Sequence, residues 1–267
     1  MIAAPPEGPC PPPDIVGQLA AGRGAEGVWR NSLGGITFQL GSGPGREFLK
    51  WAPPGVDLTA EIRRLEWAVR YSSVPRVLAQ GSDAEGSWFV TAGLPGRSAV
   101  DGRWRKEPAM AVRAIGAGLR TLHENLPVDS CAFDRSIKNR LAAATADAAA
   151  GRIEMADWHE ETRARFGSVE QALAAAVSDV PSIDRLVVCQ GDTCAPNTLI
   201  GDDGKCSGHV DFGAMGVADR WSDLAVASWS TTWNYGPGWE RTLIEAYGLE
   251  PDWERIRYYR LLWQLVD

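Results

Sequence analysis

The stretch from Val187 to Ala225 limits what this chain can fold into more than any other. It reads VVCQGDTCAPNTLI, then GDDGKCSGHVDFGAMGVADRWSDLA. Asp192 is followed five residues later by Asn197, and then by Asp211 within Asp211-Phe212-Gly213. These polar groups sit against two apolar runs, residues 185–190 and 207–211, that read as strands. Asp and Asn taken singly are common turn residues. Three such groups at this spacing between two strands point to a site.

Around this stretch the chain changes character once. Residues 27–31 and 36–40 read as a hairpin joined at Ser32-Leu33-Gly34-Gly35, with further strands at 47–51, 76–80 and 88–92. Asp57 or Thr59 can cap a helix running to about residue 71, with Ile62, Leu65 and Val69 at helical spacing. After Leu94-Pro95-Gly96 the pattern is mostly helical, at 111–124, 137–150, 219–230, 239–247 and 252–266. The expectation is an α+β chain with a small β-rich unit over residues 1–93 and a larger helical unit over 94–267. The proline-rich opening, residues 1–14, reads as a flexible arm.

Composition narrows the partners. A formal charge of −7 over 267 residues gives no basic face for nucleic acid. No apolar run is long enough to span a bilayer, and the opening lacks a signal-peptide pattern. The odd number of cysteines, five, shows no metal-ligand spacing. A cytoplasmic chain with no obligate protein partner is expected, and Cys189 and Cys194 read as small buried apolar residues.

Phosphoryl transfer asks a protein for a carboxylate to orient the attacking hydroxyl and for oxygen ligands to hold magnesium on the phosphates. Asp192 suits the first task, and Asn197 and Asp211 the second. The D-x-x-x-x-N…D-F-G order is the catalytic-loop pattern of kinases, here without the usual His-Arg lead-in.

With these residues the chain resembles the aminoglycoside phosphotransferase family, kinases of kanamycin- and streptomycin-type antibiotics with a two-lobed protein-kinase-like fold. That family carries His-Gly-Asp, an asparagine five residues on, Asp-x-Gly after the next strand, and then Gly-x-x-Asp-Arg-x-x-Asp-Leu-Ala. The last element stands here as Gly216, Asp219, Arg220, Asp223, Leu224 and Ala225. The resemblance runs over about residues 28–267. It implies that Asp192 is the catalytic base, that Asn197 and Asp211 bind Mg2+, and that Lys50 in REFLKWAP contacts nucleotide phosphates with Glu61 as its ion-pair partner. It also implies a nucleotide-covering loop at Ser32, Gly34 and Gly35, and a base-reading hinge at Ala92 and Gly93. ATP is the expected nucleotide, with GTP an alternative. The family's motif histidine is Gln190 here, an amide that can still support a loop. Asp219 and Asp223 read as a helix cap and a loop brace, and His123 as a packing and hydrogen-bonding residue.

The acceptor side matches less closely. Asp157, Glu160 and Glu161 correspond to an acidic cluster that faces polycationic antibiotics, although acids also favour a helix start for its dipole. Ala214 stands where the family has arginine, Trp229-Ser230 where it has Arg-Asp, and Trp263-Gln264-Leu265-Val266-Asp267 where it has an acidic ending. Trp229, Trp233 and Trp263 are candidates to line the pocket, with Asp267 facing the acceptor. The leading expectation is a kinase of an aminoglycoside-like hydroxyl. The alternatives are a kinase of another hydroxylated metabolite, such as a nucleoside antibiotic or a sugar, and an inactive kinase-like binding protein.

Overall fold

The computed structural model describes residues 12–31 and 33–266. Residues 1–11 of the expected arm, together with Ser32 and Asp267, lie outside the described residues. The chain divides into two compact units. One runs up to Gly96 and takes up Ser207–Gly213; the other comprises Arg97–Cys206 and Ala214–Asp267.

The first described helix of the first unit, α1 (Asp14–Ala20), starts at the last residue of the expected arm and was not foreseen from the sequence. Strands β1 (Ala25–Arg30), β2 (Ile36–Leu40) and β3 (Glu47–Ala52) follow, then helix α2 (Thr59–Ala68) and strands β4 (Val77–Asp83) and β5 (Gly86–Ala92). The five strands pair antiparallel in the order β1-β2-β3-β5-β4. Val16 and Ala20 of α1 pack with Phe38, Leu40, Leu49 and Val90. Successive strand residues point to opposite faces, so burying Leu49 in this core sends Lys50 to the other face. Asp57 accepts the Thr59 N–H at 2.8 Å where α2 starts, as expected of a capping residue.

The second unit is mainly helical. Strand β6 (Arg97–Ser98) leads into helices α3 (Gly102–Arg105), α4 (Pro108–Asn125), α5 (Ile137–Ala149), α6 (Glu160–Arg165) and α7 (Val169–Ser178). Strands β7 (Leu186–Cys189) and β8 (Thr198–Ile200) follow, and β9 (Cys206–His209) carries the chain back into the first unit. Strand β10 (Gly216–Asp219) precedes helices α8 (Trp221–Tyr235), α9 (Glu240–Tyr247) and α10 (Trp253–Val266). Strand β10 pairs antiparallel with β7, and β6 with β8. Pro108 starts α4, and Ala111, Val112, Ile115, Leu119 and Leu122 form its buried stripe. Residues Trp221 to Thr231 of α8 are all buried, so this helix runs through the middle of its unit.

Two expectations are corrected. Two strands were expected in the second half, but β6, β8 and β10 add more, each two to four residues long. Alternation cannot show over so few residues. Asp219 ends β10 and does not open the helix, which starts at Trp221. Among the described residues no helix is long and apolar enough to cross a membrane.

Helices α4 and α9 approach closely at Gly116, where an added Cβ would lie 2.4 Å from the Leu243 carbonyl oxygen. Gly116→Ala should therefore destabilise the protein, because an overpacking cost of about 1–3 kcal/mol outweighs a gain in helix propensity of about 1 kcal/mol. Gly17 on α1 has nothing within 4 Å of its missing Cβ. Gly17→Ala should leave the melting temperature unchanged or raise it. Thermal unfolding of the two variants in parallel checks the pair.

Candidate active site

In the first unit the Lys50 ammonium lies between two carboxylates. It donates to Glu61 Oε2 at 2.7 Å and to Asp211 Oδ1 at 3.2 Å. Glu61 stands in the first turn of α2, and Asp211 follows β9 in the left-handed region at φ 61°. Asp and Asn tolerate that conformation better than most residues. Phe212 next to it is fully buried and its N–H donates to Glu61, which fixes the loop. Burial pulls the Lys50 pKa down, but the Asp211 and Glu61 charges outweigh it and hold lysine above its ordinary value. Burial pushes Glu61 up, and the Lys50 charge only partly offsets this. The result is a permanent cation on the sheet face, aligned by α2.

In the glycine hairpin the N–H groups of Leu33, Gly34 and Gly35 turn back on Asn31. Asn31 Oδ1 accepts from Leu33 N at 3.1 Å and from Gly35 N at 2.7 Å, while its carbonyl accepts from Gly34 N at 3.2 Å. An asparagine side chain readily closes such a turn. At the hinge the N–H groups of Ala92 and Gly93 donate to the carbonyls of Arg76 and Arg46 at 3.0 and 2.9 Å. A Cβ on Gly93 would sit 2.7 Å from the Arg46 carbonyl oxygen, so the two backbones touch there.

In the second unit the loop after β7 is built around Asp223, which is 1% exposed. Asp223 Oδ2 accepts from Gln190 N at 2.7 Å, and Oδ1 from Gly191 N at 3.0 Å. His123 Nε2 lies 3.1 Å from Oδ2, and His123 Nδ1 lies 2.9 Å from the Tyr247 hydroxyl. Thr193 donates to the Asp223 carbonyl at 2.7 Å. Gly191 has φ 97°, and a Cβ there would meet the Ala214 carbonyl oxygen at 2.3 Å, so only glycine fits. Asp223 thus braces the loop. Asp219 does the capping, accepting from Trp221 N at 3.1 Å. His123, Cys189 and Asp223 bring possible ligand atoms within 4.8 Å of one another. Those of Asp223 already take N–H donors, and burial pushes the Cys189 thiol up, so the cluster is a structural knot. Cys189 is buried as expected, whereas Cys194 is half-buried.

Asp192 and Asn197 come together on this loop. Asn197 Nδ2 donates to the Asp192 carbonyl at 2.9 Å and to its carboxylate at 3.1 Å. That commits the amide nitrogen and leaves Asn197 Oδ1 as a ligand oxygen. In the first unit Asp211 offers a carboxylate that is 38% exposed. These hard oxygen donors fit Mg2+.

The acceptor candidates divide. Asp157, Glu160 and Glu161 are exposed, the last two in the first turn of α6. Trp229 is 2% exposed, which corrects its expected role of offering an open ring face. Its surroundings are Trp233 (centroids 5.1 Å apart), Trp263 (6.2 Å), His159 (4.8 Å) and the Arg260 guanidinium (5.2 Å). Trp263 is half-buried and Trp233 exposed. Sequence reasoning did not single out His159, which caps α6 and has no motif to mark it. Ser230, noted from the sequence only as an acceptor-side departure, accepts the Ala195 N–H on its Oγ at 2.8 Å and ties the loop to α8.

The model of the phosphotransferase enzyme family matches residues 33–259. The chain is 36% identical to an aminoglycoside 3'-phosphotransferase of Streptomyces fradiae over 247 residues, 86% of this chain and 90% of that protein. It is 31% identical to another of Escherichia coli over 221 residues, 80% of this chain and 79% of that one. Among solved structures, an aminoglycoside phosphotransferase of Streptomyces rimosus superposes with TM-score 0.78 at 26% identity, covering 94% of this chain and 96% of that one. A type VIII aminoglycoside-3'-phosphotransferase superposes with TM-score 0.77 at 31% identity, covering 94% and 98%. A family match over most of the chain, with relatives above 30% identity over four-fifths of it or more, shows that this α+β protein belongs to the aminoglycoside phosphotransferase family.

Proposed function

We propose that this protein transfers the γ-phosphoryl group of ATP, with Mg2+, to a hydroxyl of an aminoglycoside-like antibiotic. The observation that carries the reading is the grip of Asn197 on Asp192, on a loop whose backbone is fixed by buried Asp223. Such a carboxylate is held ready to orient an acceptor hydroxyl and take its proton as the new O–P bond forms and the β–γ bridging bond breaks. In this reading Lys50, kept charged between Glu61 and Asp211, binds phosphate oxygens. Glu61 holds it in place. Asn197 and Asp211 supply ligands to Mg2+, which when bound neutralises charge on the phosphates. Asp157, Glu160 and Glu161 face ammonium groups of the acceptor, and Trp263 offers it a ring face.

Relatives support the acceptor class. They include aminoglycoside 3'-phosphotransferases and a streptomycin 3''-kinase of Streptomyces griseus, and one solved relative from Streptomyces rimosus holds ADP and streptomycin. The nucleotide grip takes its support from Lys50, since the Asn31 turn and the 92–93 hinge keep their own N–H groups occupied. A second reading, a nucleoside antibiotic or sugar as acceptor, draws on the aromatic group around Trp229.

Acceptor-dependent release of ADP, followed across aminoglycosides and nucleoside antibiotics, tests the activity. Asp192→Ala should lower kcat by about a hundredfold to ten-thousandfold while nucleotide binding persists. Near-normal turnover would remove Asp192 from the role. Asp211→Asn should weaken Mg2+-dependent ATP binding and turnover together, measured by calorimetry and kinetics at graded Mg2+. Lys50→Met leaves Glu61 buried without its cation. It should cost about 3–5 kcal/mol of stability, as breaking a buried ion pair does, and should raise the ATP KM.

A further inference from the structure

Arg120 and His123 lie one turn apart on α4, and Tyr247 ends α9. With Arg185, just before β7, and Arg220, at the N-cap of α8, they line a concavity of about 80 Å³ in the second unit. That is several times the room one water needs. Gly248 closes one side, where an added Cβ would sit 2.5 Å from Arg120 Nη1. The backbone holds two of the arginines side by side, because the Arg220 N–H donates to the Arg185 carbonyl at 3.0 Å.

Three guanidiniums meet here, and most of their donors are unspent. Arg120 gives its Nε to Glu124 at 2.8 Å, and Arg220 gives its Nε to Asp184 at 2.7 Å. Among the described residues the Nη atoms of both take no hydrogen-bond acceptor, and exposed Arg185 has neither a side-chain hydrogen bond nor an ion pair. Cations near helix C-termini commonly serve the dipole, which accounts for Arg120. It does not account for Arg220 at the start of α8, where the dipole opposes a cation, or for Arg185, which lies on no helix. Glu124 is the one carboxylate on the lining. The net charge of −7 belongs to the whole chain, and at physiological salt charges farther off than about 8 Å are largely screened, so the nearby guanidiniums decide which ions enter.

We propose that this concavity is a phosphate-binding site whose occupation tightens the brace of the catalytic loop. Guanidinium forks match the oxygens of a phosphate dianion, free or at the end of a small ester. Each wall of the site leads to the brace. Arg120 is one turn from His123, Arg220 stands three residues before Asp223, and Arg185 leads through β7 to Gln190. The Tyr247 hydroxyl lies 2.9 Å from His123 Nδ1. One anion gripping these segments fixes them relative to one another, so the N–H groups held by Asp223 open less often. Neither the site nor its link to the loop depends on the phosphotransfer reading.

The test is calorimetric titration of the full chain with inorganic phosphate and, separately, with glycerol 3-phosphate, each with and without saturating ADP. ADP displaces phosphate bound at Lys50 and leaves phosphate in the arginine concavity. Wild-type protein should bind phosphate with ADP present. Arg185→Gln should weaken that binding about ten- to hundredfold, the scale of lost hydrogen bonds to a charged group. Arg185→Lys keeps the charge but not the fork and should fall between. Tighter binding of the ester assigns the site to phosphorylated metabolites, and tighter binding of free phosphate assigns it to the inorganic ion. Thermal unfolding without phosphate establishes that both variants fold, which the exposure of Arg185 favours. Amide hydrogen exchange at Gln190 and Gly191 should slow several-fold when phosphate is added to wild type, and not in Arg185→Gln. No binding at millimolar phosphate, displacement by ADP, or equal binding by wild type and Arg185→Gln overturns the site. Binding with unchanged exchange overturns its link to the loop.

Discussion

A carboxylate buried to 1% exposure is tolerable only when its oxygens are saturated with donors, and Asp223 meets that demand with the backbone of the catalytic loop. Two consecutive N–H groups, those of Gln190 and Gly191, and the His123 ring converge on it. The loop can reach it only if the chain turns sharply at Gly191, which the left-handed φ there provides. Helix α8 must run through the interior to deliver Asp223, which explains why its residues up to Thr231 are buried on every face. The same helix holds the far side of the loop through Ser230 and Ala195. The loop that presents Asp192 and Asn197 is thus clamped at both ends to one helix.

This arrangement accounts for Gln190. The brace acts on the backbone N–H of residue 190, which any residue except proline supplies. The glutamine that stands where the family pattern has histidine leaves this backbone brace in place. In the first unit a comparable economy holds. One lysine answers two carboxylates, and all three side chains are fixed by a strand, a helix start and a loop anchored on buried Phe212.

The family was legible in the sequence because phosphoryl transfer restricts residue types, and the proposed roles of Asp192, Asn197, Asp211 and Lys50 would leave such a pattern. The long helices were legible from periodicity, as in α4 with its stripe from Ala111 to Leu122. What stayed hidden was set by partners remote in the chain or by very short elements. Strands β6, β8 and β10 are defined by pairing alone. The burial of Trp229 depends on α6 and α10 closing over α8, and composition could only record that tryptophans were plentiful. The capture of the Leu33 and Gly35 N–H groups by the Asn31 side chain depends on its rotamer, and a Gly-rich turn looks the same in sequence whether its donors face inward or outward.

The central claim is that a single buried carboxylate sets the geometry of the catalytic loop. Amide hydrogen exchange at Gln190 and Gly191, measured beside turnover in wild type and Asp223→Asn, addresses it directly. An amide at position 223 faces three donors with only one acceptor atom, so protection at both N–H groups should fall by tenfold or more, and kcat should drop by about a hundredfold. If protection at Gln190 and Gly191 is unchanged in Asp223→Asn, the loop is held by something else and the account is contradicted.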